Sequence, residues 1–320
     1  MRIPTMVLLF LSVAFDAYCV NPCLDGASAE LELTVVDDSG EKVEDAEVDI
    51  AFQTSVEKAN LVKRTCDHAG RLSTAGRTVG TVNVWARKTG YYETHKVLDV
   101  RRNPVAVVGK NGRWSDVPIA DQLVLRKVRN PVKLLRRGDA YSDVRYPALD
   151  AVKGFDLLKF DWCPPYGKGE YDDLQIRTEF WRSPDDWLKV HDRTVVTMTN
   201  RVDGFYFADV DDTSAFRYAY GAETNAVYVK ELVFEYDRRD GAVTTNRGMP
   251  KGKCLIFRTR TRTDENGRVI MANYGLIKES FDPFADLDMC CLFNPTPNDP
   301  NLEDAEVARR QAKGCENRIY

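Results

Sequence analysis

Apolar and polar residues alternate along two runs of the chain, residues 30–35 and residues 46–52. In the first run, the polar residues Glu32 and Thr34 separate Leu31, Leu33 and Val35. A similar alternation covers residues 46–52. A period of two with one apolar face is typical of a half-buried β-strand. The intervening residues 37–40 read Asp-Asp-Ser-Gly, which is the chemistry of a tight turn. The pattern predicts two β-strands joined by a turn.

Similar turn signals recur further along the same region, at residues 67–70 and 88–90. Several short strands at this spacing predict an antiparallel β-sandwich. The motifs V-D-D-S-G-E-K-V-E-D-A-E-V, D-H-A-G-R-L-S and V-W-A-R-K-T-G-Y-Y resemble the carboxypeptidase regulatory-like domain over residues 29–127. That resemblance implies a transthyretin-like or Ig-like sandwich of about seven strands. It also implies an extracytoplasmic accessory module, in some cases associated with glycans, and it carries over no catalytic residue.

The remainder of the chain, over residues 138–303, predicts a larger and mainly antiparallel β domain. Its clearest element is a hairpin at residues 254–278, where two strand-like runs flank Asp-Glu-Asn-Gly. Residues 130–305 resemble the C-terminal region of uncharacterised exported bacterial proteins, and no activity is attached to that region. We predict an all-β protein that ends in a polar tail over residues 304–320.

The N-terminal residues 1–19 have the pattern of a secretory signal peptide. Arg2 gives a positive start, an apolar run follows, and we place cleavage after Cys19. An alternative is a lipid anchor on Cys19. No segment approaches roughly 18 consecutive apolar residues, so we predict no transmembrane span in the mature chain. The predicted location is the periplasm, the cell surface or the medium.

Charge and cysteine content narrow the range of partners and cofactors. The formal net charge of −4 disfavours nucleic acid, which requires a basic surface. The eight cysteines are scattered and include no C-x-x-C pair. We therefore predict no zinc site and no cofactor.

No residue can be nominated for catalysis. The chain has no G-x-S-x-G motif, and its three histidines provide few general bases. A pair of carboxylates for glycoside hydrolysis stays open, because such a pair is defined by its separation in space and not by sequence spacing.

Two groups of residues are candidates for ligand binding. Trp162, Tyr166, Trp181 and Trp187 fall within one segment and could stack on sugar rings, although such rings also fill protein cores. A second group lies on the first strand of the predicted hairpin, where alternation places three arginines on one face, able to bind carboxylates or sulfates. The alternative is an exposed face paired with acids across the sheet. These arginines are Arg258, Arg260 and Arg262.

These observations favour an exported, non-enzymatic binding or structural module, whose partner would be a glycan or another cell-envelope protein. A more specific alternative is a glycan-binding accessory protein that uses the aromatic residues between 162 and 187. The least favoured alternative is a carboxylate-based hydrolase in the second domain.

Overall fold

The computed structural model describes residues 26–101, 112–138, 143–148, 151–239, 242–246, 249–284 and 286–312. Over these residues the predicted all-β class is confirmed, and one short helix covers Ala305–Ala312. No helix among them has the length and hydrophobicity that crossing a membrane requires. The predicted signal segment 1–19, with Cys19, and the last eight residues of the predicted tail, 313–320, lie outside the described residues.

The first sandwich spans residues 27–127 and contains two four-stranded sheets that share one core. Its strands are β1 (Ala27–Asp37), β2 (Glu47–Gln53), β3 (Ala59–Thr65), β4 (Arg71–Thr78), β5 (Thr81–Arg87), β6 (Tyr91–Tyr92), β7 (Thr94–Asp99) and β8 (Ile119–Lys127). One sheet has the order β4-β1-β8-β6 and the other the order β3-β2-β5-β7. The family resemblance implies about seven strands, whereas the described part of this sandwich has eight, including the two-residue strand β6. Strands β1 and β8 are parallel, whereas the other pairs are antiparallel.

The alternating residues of β1 and β2 form the core of this sandwich, as the sequence predicts. Leu31, Leu33 and Val35 are at most 1% exposed, and Phe52 is fully buried. Gly76 on β4 lies against the ring of Phe52 so closely that an added Cβ would overlap the ring. Glycine is therefore the residue that lets the two sheets approach at this point.

The second sandwich uses the strands from residue 135 to residue 294. They are β9 (Leu135–Arg137), β10 (Asp143–Val144), β11 (Val152–Asp156), β12 (Asp161–Trp162), β13 (Leu174–Arg182), β14 (Val190–Met198), β15 (Gly204–Asp209), β16 (Glu231–Arg239), β17 (Ala242–Asn246), β18 (Lys253–Thr263), β19 (Val269–Ile277), β20 (Leu287–Asp288) and β21 (Cys291–Asn294). A six-stranded sheet, β12-β11-β13-β14-β16-β17, packs on a five-stranded sheet, β15-β18-β19-β21-β9. Strands β10 and β20 pair separately.

Strands β18 and β19 form the predicted hairpin, and Gly267 in its turn has a φ of 80°. A β-bulge interrupts their register between Thr259 and Arg262, and Arg260 has a left-handed φ of 55°. A bulge redirects side chains from one face of a strand to the other. Here it turns Arg260 into the space between the two sheets, whereas Arg258 stays on the outer face beside Tyr228.

Arg260 forms a buried ionic network with two carboxylates of the opposite sheet. Its guanidinium donates to Asp173 at 2.8 and 2.9 Å and to Asp156 at 2.8 Å. The two aspartate side chains are 2% and 1% exposed, respectively. The carboxylate oxygens accept further hydrogen bonds from other donors. These donors are the backbone N–H groups of Leu157, Leu158, Lys159, Glu170 and Tyr171 and the hydroxyl of Thr259. Buried charges require such complete pairing, so moving the two sheets apart at this point would leave charges unpaired at a cost of several kcal/mol.

Glu303 joins the end of the second sandwich to the first. Its side chain is buried and accepts hydrogen bonds from the Tyr92 hydroxyl at 2.9 Å and from the backbone N–H groups of Arg129 and Asn130 at 2.8 and 2.6 Å. Burial, followed by the bond to Glu303, raises the pKa of Tyr92 far above its ordinary value. The phenol is therefore a neutral donor at this contact.

A second contact between the sandwiches extends the edge strand β7. The backbone N–H of His95 donates to the carbonyl of Thr213 at 2.8 Å, and the N–H of Ala215 donates to the carbonyl of Glu93 at 2.8 Å. A segment of the second sandwich therefore continues the β3-β2-β5-β7 sheet of the first. This pairing covers part of an edge that would otherwise expose unpaired backbone groups.

Removing the cation of the buried network should destabilise the protein strongly. Arg260→Met leaves two carboxylates buried without their counter-ion, and we expect a loss of about 3–5 kcal/mol in the free energy of unfolding. Arg262→Met is the matched control, because Arg262 is exposed on the same strand, and we expect a change within about 0.5 kcal/mol. Urea denaturation of both variants measures the difference. Equal stabilities would show that the network does not hold the sheets together.

The same network predicts a dependence of stability on acid pH. Burial alone would raise the pKa of Asp156, but the backbone N–H donors and Arg260 together outweigh it and lower the pKa. A carboxyl group with a lowered pKa stabilises the fold above its unfolded pKa of about 3.9, and that contribution is lost as the pH falls through the folded value. The stability gap between the natural protein and Asp156→Asn should therefore shrink below about pH 4. A gap that stays constant from pH 7 to pH 3 in urea denaturation would contradict this.

Candidate functional site

The four aromatic residues predicted as one platform do not share a surface. Trp162 is only 5% exposed and packs against the rings of Phe155 and Tyr146, at centroid distances of 5.1 and 5.7 Å. Its indole N–H donates to the carbonyl of Arg145 at 3.0 Å. Trp162 is therefore a core residue of the second sandwich with a satisfied polar atom, and its ring cannot stack on a sugar.

The other members of the predicted platform lie at two ends of the six-stranded sheet. Tyr166 is 41% exposed and follows Trp162, which lies near the Leu174 end of β13. Trp181 and Trp187 are 47% and 76% exposed and lie at the opposite end of that strand. Residues 174 and 181 are about 23 Å apart along a strand. Tyr166 therefore cannot contact one small ligand together with the two exposed tryptophans.

The three arginines of β18 do not form a row either. Arg260 belongs to the buried network, and Arg258 donates to the carbonyl of Val202 at 2.5 Å beneath the ring of Tyr228. Arg262 is exposed. The bulge at Arg260 has separated these side chains, so they cannot together bind an extended anionic chain.

A concave surface does occur on the outer face of the β3-β2-β5-β7 sheet. This groove has a volume of about 960 Å³, which lies at the upper end of the range for small-molecule sites. It runs over the middle of β2 and against the loop that joins β2 to β3. Its lining residues are Ala51, Gln53, Thr54, Val56, Glu57, Lys58, Ala59, Asn60, Leu61, Asn83 and Trp85.

Trp85 gives the groove an aromatic wall that its neighbours hold in place. Its ring stacks on the imidazole of His95 on β7, with centroids 4.7 Å apart and planes 10° from parallel. The imidazole Nε2 lies 3.2 Å from Oδ1 of Asn83. Since His95 is also held by the backbone bond to Thr213, the indole is supported from both sandwiches. A fixed ring costs little conformational entropy when a ligand binds.

The floor and the far wall of the groove come from β2 and its loop. Ala51 lies between Leu61 and Asn83 on the neighbouring strands, and its small side chain leaves the depression. The loop is closed by backbone bonds from residues 54 and 55 to the carbonyl of Lys58, at 2.8 and 3.1 Å. The Gln53 side chain donates to the carbonyl of Val56 at 3.4 Å. The far wall is therefore an ordered turn.

The polar groups of the groove are mainly amides. Gln53, Asn60 and Asn83 each offer a carbonyl oxygen and an amino group, so each can both accept and donate hydrogen bonds. Glu57 and Lys58 are the charged residues of the lining, and their charges are opposite. The groove therefore combines an apolar ring, neutral hydrogen-bonding groups and no net charge.

The residue pattern along the chain does not predict this groove, although it contains one signal for Trp85. Val82, Val84 and Ala86 are apolar and fully buried, so the same alternation that predicts β5 places Trp85 on the outer face. An aromatic ring on the outer face of a strand offers a flat surface on which a ligand can stack. The contributions of β3 and the loop depend on pairing across strands, which the sequence alone does not specify.

Comparisons with known proteins leave the family open. No family model matches the chain, and no curated protein matches it. Similar solved structures include the 3-chlorocatechol 1,2-dioxygenase of Rhodococcus opacus 1CP, at 12% identity over 32% of this chain and 61% of that chain, with a TM-score of 0.26. Another is the catechol 1,2-dioxygenase of Acinetobacter radioresistens, at 11% identity over 34% of this chain and 55% of that chain, with a TM-score of 0.26.

The matching regions span little more than half of each dioxygenase chain, at 61% and 55% of their lengths. TM-scores of this size establish neither a common fold nor a common activity. The two resemblances noted in the sequence, to the carboxypeptidase regulatory-like domain and to exported bacterial proteins, stay predictions.

Truncating the buried tryptophan should affect folding, whereas truncating the exposed one should not. Trp162→Ala removes a core indole, and we expect a loss of about 3–5 kcal/mol in the free energy of unfolding. Trp187→Ala, at a position that is 76% exposed, should change stability by no more than about 0.5 kcal/mol. Thermal and urea denaturation of both variants measure this. Similar small losses in both variants would mean that Trp162 is not a core residue.

Proposed function

We propose that the protein is an exported, non-enzymatic module that binds a neutral oligosaccharide chain in the groove of its first sandwich. The observation that carries the proposal is the fixed indole of Trp85 in a groove lined by amide side chains. Residues 1–19 support export, because they have the pattern of a signal peptide. The resemblance of residues 29–127 to an accessory domain that is sometimes associated with glycans agrees with the proposal.

The chemistry of the groove matches that of a sugar ring. One face of a pyranose is largely C–H and packs on a flat aromatic surface such as an indole. Its hydroxyls both donate and accept, which is what the side chains of Gln53, Asn60 and Asn83 can do in return. These amides need no change of protonation, so binding should vary little across neutral pH.

The charge of the groove favours a neutral ligand over an acidic one. Glu57 and Lys58 cancel each other, and no cluster of arginines lines the groove. An acidic glycan would approach a protein whose net charge is already −4. Without paired cations to receive them, its carboxylates or sulfates would lose hydration and gain little.

The carboxylates favour binding over hydrolysis. Glycoside hydrolysis in most enzymes uses two carboxyl groups on opposite sides of the scissile bond. The groove lining has one, Glu57. Asp156 and Asp173 are both buried and share Arg260, but that guanidinium and backbone N–H groups saturate their oxygens, so neither carboxylate is available to a substrate. The hydrolase alternative therefore has less support than a binding role.

A glycan array tests the proposal directly. The mature chain, residues 20–320, should retain selected neutral glycans in a manner that resists added salt, because uncharged contacts are not screened. Trp85→Ala should weaken binding to the retained glycan at least about tenfold, since ring stacking of about 1.4 kcal/mol corresponds to that factor. Thermal denaturation of Trp85→Ala should show an intact fold.

Trp187→Ala is the matched control, because it removes an exposed indole from the other sandwich. We expect it to bind the glycan like the natural protein. Loss of binding in Trp187→Ala or Trp181→Ala, with Trp85→Ala unaffected, would move the site to the second sandwich. A blank array would overturn the glycan proposal and leave a cell-envelope protein as the partner to be sought.

A further inference from the structure

A second candidate site lies on the outer face of the six-stranded sheet, away from the groove. His191 on β14 is directly opposite Asp237 on β16. Glu235 precedes Asp237 by two residues and therefore projects from the same face of its strand. The imidazole Nδ1 and one oxygen from each carboxylate all lie within 4.8 Å of one another.

The hydrogen-bonded pair of His191 and Asp237 already has the spacing of two ligands around one ion, and an ion would replace the proton between them. Nδ1 of His191 lies 3.1 Å from Oδ2 of Asp237 and 4.0 Å from Oε1 of Glu235. Bonds of about 2.1 Å to one metal place neighbouring ligands ~3.0 Å apart in octahedral geometry and ~3.4 Å apart in tetrahedral geometry. To reach ligand spacing, the Glu235 carboxylate has to move closer to Nδ1 of His191. Its side chain is the most exposed of the three, at 39%.

The three ligand side chains are partly exposed, and the charged groups around them leave the cluster with a net negative charge. Nε of Arg239 forms an ion pair with Oδ1 of Asp237 at 3.0 Å, and Oδ2 of Asp237 is hydrogen-bonded to Nδ1 of His191. Arg193 lies opposite Glu235 in the register but donates to Glu179 at 3.5 Å instead. Two carboxylates and one guanidinium give the cluster a net charge of −1 when the imidazole is neutral.

We propose that His191, Glu235 and Asp237 bind a first-row divalent transition-metal ion such as Zn²⁺, with water completing the coordination. An imidazole nitrogen is a preferred ligand of these ions, whereas Ca²⁺ and Mg²⁺ prefer oxygen ligands alone. The ion-paired Arg239 is the kind of outer partner that orients a ligating carboxylate. The ligands come from two hydrogen-bonded strands, so the backbone holds them in register before the ion arrives.

Residue spacing could not reveal this site. His191 is more than 40 positions away from both carboxylates in the chain, and it meets them only because β14 pairs with β16. The prediction of no zinc site rests on the absence of C-x-x-C pairs, which is informative about structural zinc sites with cysteine ligands only. The inference is independent of the carbohydrate groove, which uses other strands and the other sandwich.

Calorimetric titration of the full chain with Zn²⁺ tests the proposal. We expect one saturable site, and we expect His191→Ala and Glu235→Gln each to weaken Zn²⁺ binding at least about tenfold. His68→Ala is the matched control, because His68 is exposed and lies near a single carboxylate, Glu44, at 3.5 Å. Its affinity for Zn²⁺ should equal that of the natural protein.

Fluorescence locates the ion independently of affinity. Trp181 is the cross-strand neighbour of His191 on β13, so bound Ni²⁺, which quenches nearby indoles, should dim its emission. Trp181→Phe should remove most of the quenching while Zn²⁺ affinity persists.

Absence of saturable Zn²⁺ binding, or equal affinity in the natural protein and in both ligand variants, would overturn the proposal. If His191→Ala fails to fold, the Zn²⁺ affinity of Glu235→Gln still tests the proposal, because the Glu235 side chain is partly exposed and tolerates the change.

Discussion

The salt-bridged network of Arg260 with Asp156 and Asp173 is the constraint on which the second sandwich depends. Three charged side chains are buried between two sheets, and each carboxylate oxygen has a donor. Separating paired buried charges costs several kcal/mol, so the network disfavours any arrangement of the two sheets that would break it. The bulge that places Arg260 there requires a left-handed residue in the middle of β18, at a φ of 55°. The strand accepts this local strain because the ionic pairing outweighs it.

The position of the five-stranded sheet determines how the two sandwiches meet. Its outer face is covered by chain segments that include Tyr218 and Leu302. Those segments lead directly to the two contacts with the first sandwich, through Thr213 and Glu303. The Thr213 contact holds β7, whose His95 supports the indole of Trp85. The second sandwich thus supports one wall of the groove from behind, without touching the space in which we propose that the ligand binds.

Local features of the fold could be predicted from the sequence, and non-local ones could not. The alternation through Leu31 and Phe52 and the turn at Gly267 depend on neighbouring residues, so they can be read along the chain. Arg260 follows the same alternation, yet the bulge reverses its direction, because burial beside two carboxylates is decided by residues about 90 and 100 positions away. Trp162 shows the complementary difficulty, since a cluster of aromatic residues in sequence does not reveal which rings face the core. Cross-strand register, which assembles both the groove and the His191 cluster, is a property of the folded sheet.

The central claim is that the first sandwich binds the ligand and the second supports it. Hydrogen–deuterium exchange of the full chain, with and without a saturating neutral oligosaccharide from the array, tests this most directly, because exchange reports where the backbone becomes protected. The account predicts new protection in residues 51–61 and 81–87 and no change in residues 180–192. Protection confined to residues 180–192, with the groove strands unchanged, would contradict it.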